Sequence, residues 1–129
     1  MARFKRVLLV EDDPITTLIC DCIIKTNGFA EELKSCVNGK FAIDYLKDVV
    51  EQHKASPDII LLDINMPVMN GWDFLEEFHA IEKCFDHLPR IFILSSSIDP
   101  ADFKKAESFP TVDTFISKPL TNDFLNQIN

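Results

Sequence analysis

The chain has 129 residues, 47% of them hydrophobic, which suits one domain spanning 1–129 around a single core of ordinary size. Its formal charge of −8 sets 21 acidic residues against 13 scattered basic ones, so the concentrated basic footprint of a nucleic-acid binder is missing. No apolar run approaches the roughly 18 residues that cross a bilayer, and residues 1–6 lead straight into a strand-like run rather than a signal-peptide core, so a soluble cytoplasmic protein without membrane insertion is expected.

The first apolar run, Val7-Leu8-Leu9-Val10, stops abruptly on Glu11 and Asp12. Asp13-Pro14 then supplies an N-cap and an N1 proline, and Ile15, Leu18, Ile19 and Cys22 recur at helical spacing until Asn27-Gly28 closes the helix. Residues 30–37 form the weakest strand: Glu31, Glu32 and Lys34 interrupt its apolar character, as suits a half-exposed edge. From the cap Asn38 to about His53, Ala42, Leu46 and Val49 mark an amphipathic helix. Pro57-Asp58 opens the third strand, whose run Ile59-Ile60-Leu61-Leu62 ends on Asp63.

Pro67 and the Asn70-Gly71 pair make the next stretch a turn-rich loop, and the helix after it carries Phe74, Leu75, Phe78 and Ile81 on one stripe. Arg90-Ile91-Phe92-Ile93-Leu94 reads as a fourth buried strand that ends in Ser95-Ser96-Ser97. Asp99-Pro100 repeats the cap-plus-proline start of a short helix reaching about Ser108. Last come Thr114-Phe115-Ile116-Ser117, then Lys118-Pro119, then a helix capped by Thr121 with Phe124, Leu125 and Ile128 facing inward. Short apolar runs alternating with helical segments signal five βα units around a parallel sheet.

Four cysteines and three histidines raise the question of a soft-metal site, but Cys20 and Cys22 point to different faces of one helix, and Cys36, Cys84, His53, His79 and His87 are isolated. The thiols are expected in the core and the histidines at the surface.

In an open parallel α/β sheet, ligands bind outside the carboxyl ends of the strands, near the point where connections turn to opposite faces. Four strands of this chain end there in polar side chains: Glu11 and Asp12, Asp63, Ser95, and Lys118. Asp13 is the helix cap, which leaves Glu11 and Asp12 unexplained by capping. Carboxylates packed together repel, by on the order of 4 kcal/mol for a pair about 4 Å apart at an effective dielectric near 20. Lys118 offsets part of this and a divalent cation more. Mg²⁺ suits an all-oxygen set, and the lack of His or Cys points away from Zn²⁺. A carboxylate, a hydroxyl and an ammonium around such an ion favour phosphoryl transfer with Asp63 as nucleophile, forming an acyl phosphate that Lys118 and Ser95 hold.

These four segments together resemble the receiver domain of two-component response regulators: Val10-Glu11-Asp12-Asp13-Pro14, Asp63-Ile64-Asn65-Met66-Pro67 through Gly71, Leu94-Ser95-Ser96-Ser97, and Ser117-Lys118-Pro119. The resemblance covers essentially the whole chain. It implies a doubly wound, flavodoxin-like sheet of strand order 2-1-3-4-5. It further implies that Asp63 takes a phosphoryl group from a histidine kinase or histidine phosphotransfer protein, with Mg²⁺ held by Asp12, Asp63 and the Asn65 carbonyl, and by Glu11 through water.

Ser95 becomes the switch hydroxyl, Lys118 the phosphate-binding lysine ahead of a cis Pro119, Phe115 the aromatic switch partner, and Asn65 and Ser97 the positions that tune dephosphorylation. The serine run leaves the switch hydroxyl open by one position, although the apolar run ending at Leu94 favours Ser95. Such a domain catalyses only its own phosphorylation and dephosphorylation and signals to a downstream protein target. Two rivals are weighed against it. A Mg²⁺-dependent aspartyl-phosphate phosphohydrolase needs a second acid two residues after Asp63, where Asn65 stands, and the retained acids, hydroxyl and lysine oppose a non-phosphorylated pseudo-receiver.

Overall fold

The computed structural model describes residues 3–96 and 99–128. In chain order the elements are β1 (Phe4–Val10), α1 (Pro14–Asn27), β2 (Ala30–Cys36), α2 (Gly39–Glu51), β3 (Ile59–Leu62), α3 (Gly71–Ile81) with a 3₁₀ turn Glu82–Cys84, β4 (Arg90–Ser95), α4 (Pro100–Glu107), β5 (Val112–Ser117) and α5 (Asn122–Gln127). All neighbouring strands run parallel, in the order β2-β1-β3-β4-β5. This is the expected doubly wound arrangement, with β2 at one edge.

The sheet divides the core in two. Leu8, Val10, Ile60 and Leu62 face α2, α3 and α4 through Leu46, Phe74, Phe78 and Ala106, while Val7, Leu9, Ile59 and Leu61 face α1 and α5 through Cys20, Ile24 and Leu125. Successive residues of β1 and β3 point to opposite layers and all are buried, which is why these strands read as unbroken apolar runs. Residues next to those runs extend two strands beyond expectation: β1 starts at Phe4, whose ring packs on Phe29 with centroids 4.9 Å apart, and β5 starts at Val112.

Asp13, Asn38, Asp99 and Thr121 cap their helices as the sequence signals, and Asn70, read there as part of a loop, caps α3 as well. Asp13 accepts from the N–H groups of Ile15 and Thr16, Asn38 from Phe41, Asn70 from Asp73 and Thr121 from Phe124, satisfying amide groups that each first helical turn leaves unpaired. Gly28 closes α1 at φ 72°, a left-handed position that favours glycine.

One reading is refined and one expectation needs correction. The helical spacing of Ile15, Leu18, Ile19 and Cys22 marked α1 without marking its inner side: Ile15 is 68% exposed, Leu18 63% and Ile19 46%, and the buried positions are Cys20 and Ile24. Helix α1 is apolar on both sides, so period alone could not tell the inner side from the outer. Likewise only Cys20 and Cys36 are core thiols, since Cys22 lies on the outer side of α1 and Cys84 on the exposed 3₁₀ turn. The three histidines are exposed as expected, and His79 sits 2.9 Å from Glu82.

Candidate functional site

Connections leave β1 and β3 toward opposite faces of the sheet, which opens a crevice at their carboxyl ends. Val10 pairs with Leu62, and the Asp63 N–H donates to the Val10 carbonyl at 2.9 Å, so Glu11 and Asp63 emerge level and side by side. Among the described residues, one group of three could offer a cation its ligands: carboxylate oxygens of Glu11, Asp12 and Asp63 all lie within 4.8 Å of one another. Glu11 and Asp63 are buried and Asp12 is exposed at the mouth.

Lys118 enters from the end of β5, where its N–H donates to the Ser95 carbonyl at 2.9 Å and its bond to Pro119 is cis. The ammonium donates to Glu11 Oε1 at 2.6 Å and stands 3.6 Å from Asp63 Oδ2. Glu11 Oε2 accepts from the N–H groups of Asp12 and Asp13 at 3.0 and 3.4 Å. Glu11 is therefore the residue that ties the lysine, the loop and the acids together.

Burial, followed by the neighbouring Asp63, pushes the Glu11 carboxyl above its ordinary range even though Lys118 pulls the other way. Partial desolvation and the adjacent Glu11 also raise Asp12. Burial alone would lower the Lys118 ammonium, but its bonds to Glu11 and Asp63 outweigh this and hold it above the usual lysine range. Among the described residues, one half-buried ammonium thus faces three acids and cannot neutralise them.

The loop between β3 and α3 is pressed tight against the end of β3. Gly71 donates its N–H to the Ile64 carbonyl at 2.8 Å, and a Cβ there would sit 2.7 Å from both the Asp63 carbonyl oxygen and the Ile64 Cα. Only glycine fits. Val68, at φ 69° and 83% exposed, holds a left-handed conformation that costs a side-chain-bearing residue about 1–2 kcal/mol. Asn65 is exposed beside Asp63, its N–H 3.4 Å from Asp63 Oδ1.

On β4, Ser95 is fully buried at the strand end, paired in register with Ser117. Phe115 is half-buried and packs on Phe103 of α4, ring centroids 4.3 Å apart. Ser97 falls outside the described residues. The fold therefore gathers Glu11, Asp12, Asp63 and Lys118 in one crevice, with Ser95 at the end of the next strand and Phe115 farther out, toward α4. Sequence reasoning missed Phe103, which no periodicity marks, and a contact between α3 and the end of α4 in which Trp72 stacks on Phe109 at 6.0 Å under the Lys105 ammonium at 5.0 Å.

Residues 7–128 match the response regulator receiver domain family. The chain is 30% identical to the two-component response regulator ORR41 of Oryza sativa subsp. japonica, over 95% of this chain and 90% of that protein. It is 29% identical to the histidine kinase CKI1 of Arabidopsis thaliana over 98% of this chain, but only 12% of that much longer protein. Among solved structures, a two-component response regulator from Cytophaga hutchinsonii superposes with a TM-score of 0.87 at 37% identity, covering 95% of this chain and 92% of the other. A response regulator receiver protein from Dyadobacter fermentans gives 0.82 at 25% identity, with 95% and 93% covered.

Proposed function

This chain belongs to the response regulator receiver family, and from that membership we propose that Asp63 is its phosphoacceptor, that Mg²⁺ is its cofactor, and that phosphorylation resets a partner-binding surface. One observation carries the reading: three carboxylates from two adjacent strand ends converge within 4.8 Å with a single lysine between them. The donor set is all oxygen and over-charged, which fits a hard dication bound by Asp12, Asp63 and the Asn65 carbonyl, with Glu11 behind. When bound, the ion would screen the acids from an incoming phosphoryl group.

The remaining work falls to the chain's own residues. An Asp63 carboxylate oxygen attacks the phosphorus of a phosphohistidine, the P–O bond forms as the P–N bond breaks, and the imidazole leaves with the electron pair. Lys118 then shifts from Glu11 toward the phosphoryl oxygens, since the new group brings about 1.5 to 2 negative charges and three acceptor oxygens. Ser95, next to Lys118, closes on the same group. Phe115 moves into the space this vacates, leaving Phe103 and so altering the surface of α4 and β5. Asn65 and Ser97 tune the return to the unmodified state by controlling access of water to the acyl phosphate.

The donor is a histidine kinase or a histidine phosphotransfer protein. It must reach a crevice whose rim continues into the exposed apolar side of α1, and Ile15, Leu18 and Ile19 offer a helix of that donor a place to lie. The product is a signal delivered to a protein target, and no substrate other than the chain itself is turned over.

The test is chemical. Incubation with Mg²⁺ and acetyl phosphate should add one base-labile phosphoryl group by intact mass, and Asp63→Asn should add none. A label that persists on the variant, or is indifferent to Mg²⁺ removal, sinks the reading.

A further inference from the structure

The two edges of the sheet differ. At β5 the ladder to β4 shifts register between Ile91 and Phe92, an irregularity that discourages a further strand from adding. At the other edge, β2 keeps one register from Ala30 opposite Phe4 to Cys36 opposite Val10, and contains no proline. Residues 31–35 of β2 are exposed or half-exposed. Grooves of about 350 and 360 Å³ flank the strand, one reaching Tyr45 and Pro57, the other Leu18 and Asp21.

Its backbone is also open for pairing. The Glu11 N–H donates to the Cys36 carbonyl at 3.0 Å, and backbone groups alternate sides along a strand, so Leu33 and Ser35 turn theirs outward.

The geometry points to a second copy of this chain as the occupant, its β2 pairing antiparallel with this one about a two-fold axis through Leu33, so that two five-stranded sheets become one. The side chains select that register. Opposed residues of an antiparallel pair share a face, so the register can change only in steps of two. Centred on Glu32 the pairing sets glutamate against glutamate, and centred on Lys34 it sets lysine against lysine. Centred on Leu33, it opposes Glu32 to Lys34 twice, once on each side of the axis, and packs leucine on leucine. Both charged side chains are already held in place: Arg6 pairs with Glu32 at 3.0 Å, and the Lys34 ammonium lies 5.5 Å over the Tyr45 ring. The charges that would protect this edge from unrelated strands thus make it complementary to itself.

A strand-edge interface is small, so the dimer is weak, and sedimentation of the unmodified chain should show its mass rising from monomer toward dimer between about 10 µM and 1 mM. Lys34→Glu and Glu32→Lys each set like charges across the axis and should each remain monomeric over that range. An equimolar mixture of the two restores complementarity and should dimerise at least as readily as the unmodified chain. Equal phosphorylation by acetyl phosphate in all three shows that the variants are folded. A unmodified chain that stays monomeric throughout, a single variant that dimerises like it, or a mixture that fails to associate would each overturn the assignment.

Discussion

Helices α1 and α2 flank β1 from opposite faces of the sheet, yet they distribute their apolar residues differently. On α2, Ala42, Ile43, Leu46 and Val49 are all buried to within 2% exposure, and the outer side carries the Lys40–Asp44 pair at 3.0 Å with a single large apolar residue, Phe41, 57% exposed. On α1 only Cys20 and Ile24 are fully buried, while Ile15, Leu18 and Ile19 stand in solvent beside the acidic crevice. Exposed apolar side chains in such a cluster do not stabilise the monomer. The contrast separates a helix whose apolar residues lie mostly in the core from one whose apolar residues lie mostly outside it, and the donor surface proposed on α1 rests on that difference.

The largest expected effect breaks the comparison from the α2 side. Leu46 is completely buried against Leu8, Val10 and their neighbours, so Leu46→Ala should lower unfolding free energy by about 2–5 kcal/mol, as transfer and cavity costs add. Urea denaturation of the two proteins measures it. A loss below about 1 kcal/mol would mean that α2 is not the structural helix of the pair.

A smaller effect comes from the inner side of α1. Burial, with Glu11 nearby, pushes the Cys20 thiol up to about 11 from 9.0. The native state therefore keeps a proton that the unfolded chain releases, and stability is lost as pH rises from 9.0 toward about 11. The Lys118 ammonium, held above 10.5, adds a loss of the same sign at still higher pH. Cys20→Ala should flatten the first part of that decline in denaturation midpoints taken between pH 8 and 11. Cys36, also raised by burial, retains a share. Two residues further along α1, exposed Cys22 should react with a disulfide reagent in the native state together with exposed Cys84, whereas Cys20 and Cys36 should wait for unfolding.

The same helix marks how far the sequence could be read. Caps located four of the five helix starts, because Asp13-Pro14, Asn38, Asp99-Pro100 and Thr121 act through bonds within one turn of chain, whereas Asn70-Gly71, read as loop, is the cap and first residue of α3. The acid cluster was legible because a buried strand that ends on a carboxylate can deliver it only to the sheet edge. What depended on elements distant in sequence was not legible. Glu11 rather than Asp63 takes the shorter bond from Lys118, 107 positions away, and Phe103 meets Phe115 across the gap between α4 and β5. The outer side of α1 belongs to the same class, since solvent and core are both invisible to a periodicity.

The smallest effect on stability is expected where the effect on signalling should be clear. Leu18 and Ile19 project from α1 into solvent, so the double change Leu18→Ser with Ile19→Ser should shift unfolding free energy by no more than about 1 kcal/mol. Acetyl phosphate needs no docking surface and should phosphorylate this variant at the unmodified rate. A phosphorylated histidine phosphotransfer protein must lie on the rim to present its imidazole, and its transfer should slow by about tenfold, equivalent to roughly 1.4 kcal/mol of lost docking energy. Equal loss with both donors would place the defect in the crevice, and equal retention would assign the apolar side of α1 to some other contact. Only a split between the small and the protein donor makes α1 the counterpart of α2: one helix buried for the fold, the other left open for the donor.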